Sequence, residues 1–131
     1  MKHLEPRTAW VYMHSNPRSL FVDVRMEIEY LYVGHPPGIV HIAWYEYPDM
    51  LIDPPRFVAN VLREAQDDKQ RPVLLLCRSG KRSLPAGAAL EAAGFTEVIN
   101  VLHGFEGEAN EHFQRGHISG WRYDGLPWEQ M

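Results

Sequence analysis

The chain has 131 residues, 45% of them hydrophobic, and carries 13 Lys+Arg against 17 Asp+Glu for a formal net charge of −4. That length predicts one domain, residues 1–131, burying about two-thirds of the surface its unfolded form exposes, and the acidic balance excludes a general affinity for nucleic acid or an anionic membrane. No apolar run reaches the roughly 18–20 residues of a bilayer span, Met1 to Arg7 hold no secretory h-region, and a lone cysteine excludes an internal disulfide, so the chain reads as cytoplasmic.

In chain order, Thr8 is expected to cap a short helix over residues 9–14 that Asn16-Pro17 ends; a short edge strand is the alternative. Residues 19–24 read as a strand arriving at Asp23, and residues 26–33 as a short helix with Glu27 and Glu29 outward, stopped by Gly34. Gly34-His35-Pro36-Pro37-Gly38 makes a turn, after which residues 39–43 alternate in the manner of a sheet strand. Trp44-Tyr45-Glu46-Tyr47 follows that strand's carboxyl end, the side on which open α/β sheets bind ligands; these rings either wall a pocket or pack the edge of the core. Asp53-Pro54-Pro55 opens a helix in which Phe57, Val58, Val61, Leu62 and Ala65 recur with helical period while Arg63, Glu64, Asp67 and Asp68 face outward.

The run Val73-Leu74-Leu75-Leu76 follows the turn Arg71-Pro72, is too short for a free helix and reads as a buried strand that delivers Cys77 at its carboxyl end. Ser83 is expected to N-cap the next helix, with Pro85 in the first turn, where its missing N–H is not needed, and Gly94 as the stop. Residues 98–102 form another buried strand ending at His103-Gly104-Phe105, so His103 also falls on the carboxyl side, either as a pocket-lining imidazole or as a satisfied structural group. The spacing of His103, His112 and His117 matches no metal-ligand set, and no metal or other cofactor is expected. The polar, glycine-punctuated stretch 106–119 is either a surface excursion or a lid, and Trp121 and Trp128 around Gly125-Leu126-Pro127 anchor the C-terminal segment.

Chemistry concentrates between the central strand and its helix. Arg78, Lys81 and Arg82 invert the sign of the chain's charge locally, directly beside the only cysteine. A free thiol, with pKa about 8.5, is only about 3% ionised at neutral pH, and it is the thiolate that reacts. Guanidinium and ammonium groups, successive loop N–H donors and a helix N-terminus all favour the charged form, and Gly80 lets the backbone take φ > 0 to gather those donors.

Cys77-Arg78-Ser79-Gly80-Lys81-Arg82-Ser83 resembles the active-site loop of the rhodanese (thiosulfate sulfurtransferase) family. Four further pieces stand in that family's order: Asp23-Val24-Arg25, Gly34-His35, Gly94-Phe95 before Val98-Ile99-Asn100-Val101-Leu102, and Gly120-Trp121 with Gly125-Leu126-Pro127-Trp128, together covering about residues 18–128. Phosphatases and arsenate reductases of similar fold place arginine after five intervening residues; here Cys77 to Arg82 leaves four and the next position is Ser83, which favours sulfur over phosphoryl transfer. The resemblance implies an α/β fold, with a mainly parallel sheet of four or five strands and helices on both faces. It also implies a Cys77 persulfide loaded by a small anionic donor such as thiosulfate and unloaded by cyanide, a thiol or a protein acceptor. Arg78, Ser79, Gly80, Lys81, Arg82 and Ser83 would bind the donor, Trp44 and His103 would contribute to the pocket, and Asp23, Arg25 and His35 would brace the loops. The alternative is a rhodanese-like module that binds a partner or relays persulfide to one dedicated protein.

Overall fold

The computed structural model describes residues 1–131 and is built around one five-stranded sheet. The elements in order are β1 (Lys2–Leu4), α1 (Pro6–Ser15), β2 (Leu20–Asp23), one turn of π-helix (Glu29–Val33), β3 (Val40–His41), α2 (Pro54–Glu64), β4 (Val73–Leu76), α3 (Ser83–Ala92) and β5 (Val98–Val101). The spatial order is β1-β5-β4-β2-β3, and every pairing is parallel. A parallel sheet needs cover on both faces, and the strands accordingly carry apolar residues on both. Val73 and Leu75 of β4 face one core with Val22, Val98, Phe57 and Val61 of α2, and Ala86 and Leu90 of α3. Leu74 and Leu76 face the other, with Ala9 of α1, Ile99, Val101, Phe105 and Trp121. All four β4 residues are fully buried, each aliphatic side chain contributing about 1.5–3 kcal/mol by its removal from water.

Beyond β2 the chain turns outward to β3, whereas beyond β4 it runs toward β5 on the opposite side. The strand order therefore switches between the carboxyl ends of β2 and β4, where an open α/β sheet leaves a crevice, and Cys77 lies there.

Several local expectations change. The N-terminal residues, to which the sequence assigned no element, form edge strand β1, paired with β5 in the register Lys2 to Ile99 and Leu4 to Val101. Helix α1 starts at Pro6 rather than beyond Thr8; its cap is Glu5, whose side chain makes no capping hydrogen bond, and Pro6 takes a first-turn position whose N–H is dispensable. The expected helix over residues 26–33 is reduced to the π-turn, closed by the Gly34 N–H donating to Glu29 O over 3.2 Å. That wider turn lets Tyr30 stack on His35 and His41, with ring centroids 3.8 and 4.9 Å away, while Glu29 faces Arg82. Strand β3 keeps only Val40–His41; the amides of Ile42 and Trp44 continue toward β2 by donating to the carbonyls of Asp23 and Val24, at 3.0 and 2.9 Å. Asp53 does cap α2, accepting from the Arg56 amide at 3.2 Å.

Candidate active site

Cys77 follows β4 and is 1% exposed. Its carbonyl accepts from the Phe105 amide at 2.8 Å, and the Arg78 carbonyl accepts from Glu106 and Gly107 at 2.9 and 3.2 Å, so the segment after β5 lashes down the start of the loop. The close approach requires Gly104: a Cβ there would stand 2.4 Å from Cys77 O and 2.6 Å from the Arg78 carbonyl carbon. Gly80 has φ +92, and its N–H donates to Cys77 Sγ over 3.1 Å. No backbone carbonyl accepts from the amides of Arg78, Ser79, Lys81 or Arg82, so those groups are unclaimed around the sulfur loop. A curl of free N–H groups at a helix start suits an anion.

The three cations of the loop play different parts. Arg78 and Lys81 are exposed. Arg82 is not free: its two terminal nitrogens donate to the two carboxylate oxygens of Glu29 at 2.7 and 2.8 Å, and its guanidinium lies 5.4 Å from the Tyr45 ring centroid. Burial opposes the Arg82 charge, yet hydrogen bonding and attraction from Glu29, with smaller contributions from Tyr45 and Cys77, hold its pKa above the ordinary guanidinium value. Burial likewise works against the Glu29 charge, and the bonds to Arg82 outweigh it, so Glu29 sits below the usual carboxylate range.

Ser83 is not the N-cap expected from sequence. Arg82 is already helical at φ −62 and ψ −30, and the Ser83 hydroxyl, fully buried, instead donates to Asn100 Oδ1 over 2.5 Å while its oxygen lies 3.4 Å from Cys77 Sγ. Asn100 itself escaped the sequence reading. The available signal was a polar residue in the middle of the apolar run Val98-Ile99-Asn100-Val101, which must find partners when buried. Its Nδ2 donates to Gly80 O at 3.4 Å and to His3 Nδ1 at 3.2 Å.

Asp23 and Arg25 form a fully buried pair: Arg25 donates from Nε and Nη2 to the two Asp23 oxygens at 2.9 and 2.6 Å, and from its amide to Oδ1 at 3.0 Å. Nη2 also donates to Gly34 O at 2.6 Å, Nη1 has no partner, and the guanidinium lies over Phe105 at 4.6 Å, the residue whose amide holds Cys77. His35 braces its turn, donating from Nδ1 to Tyr30 O at 2.7 Å and pairing its backbone with Glu129. Trp44 is 5% exposed and packs edge-on to Phe57 in the core; it also borders a depression of about 600 Å³ between the β3 loop and α2 whose lining does not include Cys77. His103 takes φ +66, with Nδ1 2.7 Å from Glu108 and Nε2 3.3 Å from Glu5. The hydrogen bond that the ring donates to Glu108, opposed by some burial and aided by the charges of Glu108 and Glu5, raises its pKa above the usual histidine value. The 106–119 segment is tied at its base, where Gly116 N donates to Glu106 O at 2.8 Å and Arg115 to Gly107 O at 2.7 Å, and its tip exposes Phe113.

Comparison with known proteins agrees with this architecture. The profile of the Rhodanese-like domain family matches residues 7–111. The crystal structure of Rv0390 from M. tuberculosis is 39% identical, with a TM-score of 0.82 and 100% of this chain and 98% of that one covered. An uncharacterized protein of Rickettsia conorii is 29% identical over 120 residues, 88% of this chain and 86% of its own length. A putative sulfur carrier protein of Bacillus subtilis is 36% identical over 83 residues, 63% of this chain and 37% of that protein.

Proposed function

The chain belongs to the rhodanese-like family, and from that premise we propose that it is a sulfurtransferase whose Cys77 carries a sulfane sulfur from a small anionic donor to a thiol. The observation that carries this reading is the setting of the one thiol: Sγ receives the Gly80 N–H at 3.1 Å, at the carboxyl end of the central strand, inside a loop with unclaimed amides and the exposed cations Arg78 and Lys81. The Gly80 N–H, the unclaimed amides and the two cations suit an anion, either the sulfur of a persulfide or the charged end of an incoming donor.

In the first half-reaction the Cys77 thiolate attacks the outer sulfur of thiosulfate; the new S–S bond forms as the old one breaks, and the bonding pair leaves with sulfite. The product is a persulfide anion on Cys77. An acceptor thiolate, or cyanide, then attacks the terminal sulfur and Cys77 departs as thiolate, so no external oxidant or reductant is needed. Arg78 and Lys81 attract and orient the donor. Arg82, engaged by Glu29, contributes field rather than a free hand. Trp44 and His103 stand in a supporting position, the first in the core and the second bridging Glu5 and Glu108.

The 1% exposure of Cys77 favours a second reading, in which the domain relays sulfur only to and from a dedicated protein that opens the loop. Intact mass of the reduced protein before and after thiosulfate, with Cys77→Ser alongside, separates them. A gain of one sulfur on the wild type alone, removed by cyanide with formation of thiocyanate, supports the sulfurtransferase. No gain from thiosulfate but a gain from a persulfidated protein supports the relay, and no gain from either refutes both.

A further inference from the structure

We infer that Asn100 is a positioning residue that controls the Cys77 sulfur by holding the Ser83 hydroxyl proton away from it; this deepens the sulfurtransferase reading and rests on Cys77 being its reacting atom. The count of donors and acceptors fixes where the proton lies. Gly80 O can only accept, so the Asn100 atom facing it must be the Nδ2 donor, and the atom facing Ser83 must be the Oδ1 acceptor. Two oxygens 2.5 Å apart share one proton, and Asn100 Oδ1 has none to give, so the Ser83 O–H points at Asn100. What Ser83 presents to Cys77 Sγ, 3.4 Å away, is therefore a lone pair.

A lone pair accepts from a thiol and repels a thiolate. The thiol is favoured by Ser83 as Asn100 holds it, and the thiolate keeps the Gly80 N–H as its donor. Were Asn100 unable to accept, Ser83 would swing its proton to the sulfur and add a second donor to the anion. The network reaches the surface through β1, where the exposed His3 accepts from Asn100 through Nδ1 and so must keep that nitrogen unprotonated. The other charged or titratable groups around the site are Arg78 and Lys81, Arg82 with Glu29 and Tyr45, the Asp23–Arg25 pair beside β4, and His103, which packs on Gly80 and pairs with Glu108 and Glu5; none of them is hydrogen-bonded to Asn100.

The test is the ultraviolet titration of the thiolate in the full chain without any sulfur donor, with Cys77→Ser as the blank; a single cysteine makes the signal unambiguous. Asn100→Leu should move the titration midpoint down by about one pH unit, roughly tenfold more thiolate below the midpoint, because a hydrogen bond to a charged group is gained. In a Ser83→Ala background the same change should move it by less than about 0.3 unit. Ser83→Ala alone should lower it, by less than Asn100→Leu does, since the lost hydroxyl only accepted from the thiol and gave the sulfur no proton, and this variant serves if Asn100→Leu does not fold. An unchanged or raised midpoint in folded Asn100→Leu, an equal shift without Ser83, or a rise in Ser83→Ala would each overturn the inference. Absence of sulfur transfer by the wild type with these shifts intact would instead refute the sulfurtransferase reading alone.

Discussion

Removing Asp23 should destabilise the protein far more than removing an ordinary surface carboxylate. The Asp23→Ala change takes away the two side-chain bonds at 2.9 and 2.6 Å and the amide bond at 3.0 Å, in a pair with no exposure on either side. Arg25 would then be a buried cation holding only Gly34 O and the face of Phe105, with Nη1 already without a partner. An uncompensated buried charge costs about 3–5 kcal/mol. For a domain of this size that corresponds to a fall in Tm of about 11–18 °C. Urea denaturation of the reduced protein at neutral pH measures the loss as a shift in midpoint at constant slope. The double change Asp23→Ala with Arg25→Met should recover at least half of it, since the orphaned charge is gone while the arginine's contact with Phe105 is largely kept. A loss below about 1 kcal/mol for Asp23→Ala, or a double variant as unstable as the sum of the singles, would refute the claim that the penalty comes from a stranded guanidinium.

Four further outcomes follow from the same geometry. Gly104→Ala should lower stability by at least about 2 kcal/mol, because the new methyl group meets the Cys77 and Arg78 backbone in a residue at φ +61; a variant within about 0.5 kcal/mol of wild type would contradict the close approach. Glu29 has its folded-state pKa depressed, so its pairing with Arg82 contributes stability above the unfolded carboxylate pKa of about 4.3 that is lost as pH falls through the depressed value. The stability gap between wild type and Glu29→Gln should accordingly narrow on acidification, and a widening gap in denaturation curves would reverse the assignment. His103 has its pKa raised, so its pairing with Glu108 stabilises fully below the ordinary histidine value and is lost as pH rises through the raised one; proton NMR should find the His103 titration moved downward in Glu108→Gln, and an unmoved titration would remove that pairing. Arg78→Ala and Lys81→Ala should each raise the thiosulfate KM several-fold with less change in kcat, while unaltered KM in both would exclude these cations from donor binding.

Much of the architecture was written in local patterns. Four apolar residues in a row before Cys77 required a strand covered on both faces, Asp53-Pro54-Pro55 required a helix start, and the concentration of Arg78, Lys81 and Arg82 at a glycine-containing turn singled out the loop proposed to take an anion. These properties depend on near neighbours in the chain, and the residues state them directly. Tertiary structure alone decided which partner each polar group found. Arg82 looked like a hand for the donor but lies opposite Glu29, 53 positions away, and Ser83 looked like a helix cap but gives its proton to Asn100 on the next strand. The edge strand of Lys2–Leu4 exists because β5 offers it an unpaired ladder, and the π-turn exists because Tyr30 and Glu29 both have partners to reach. A backbone pattern with period two or 3.6 is legible from one segment, whereas a hydrogen bond or ion pair is a property of two segments, and the second is named only when the chain has folded.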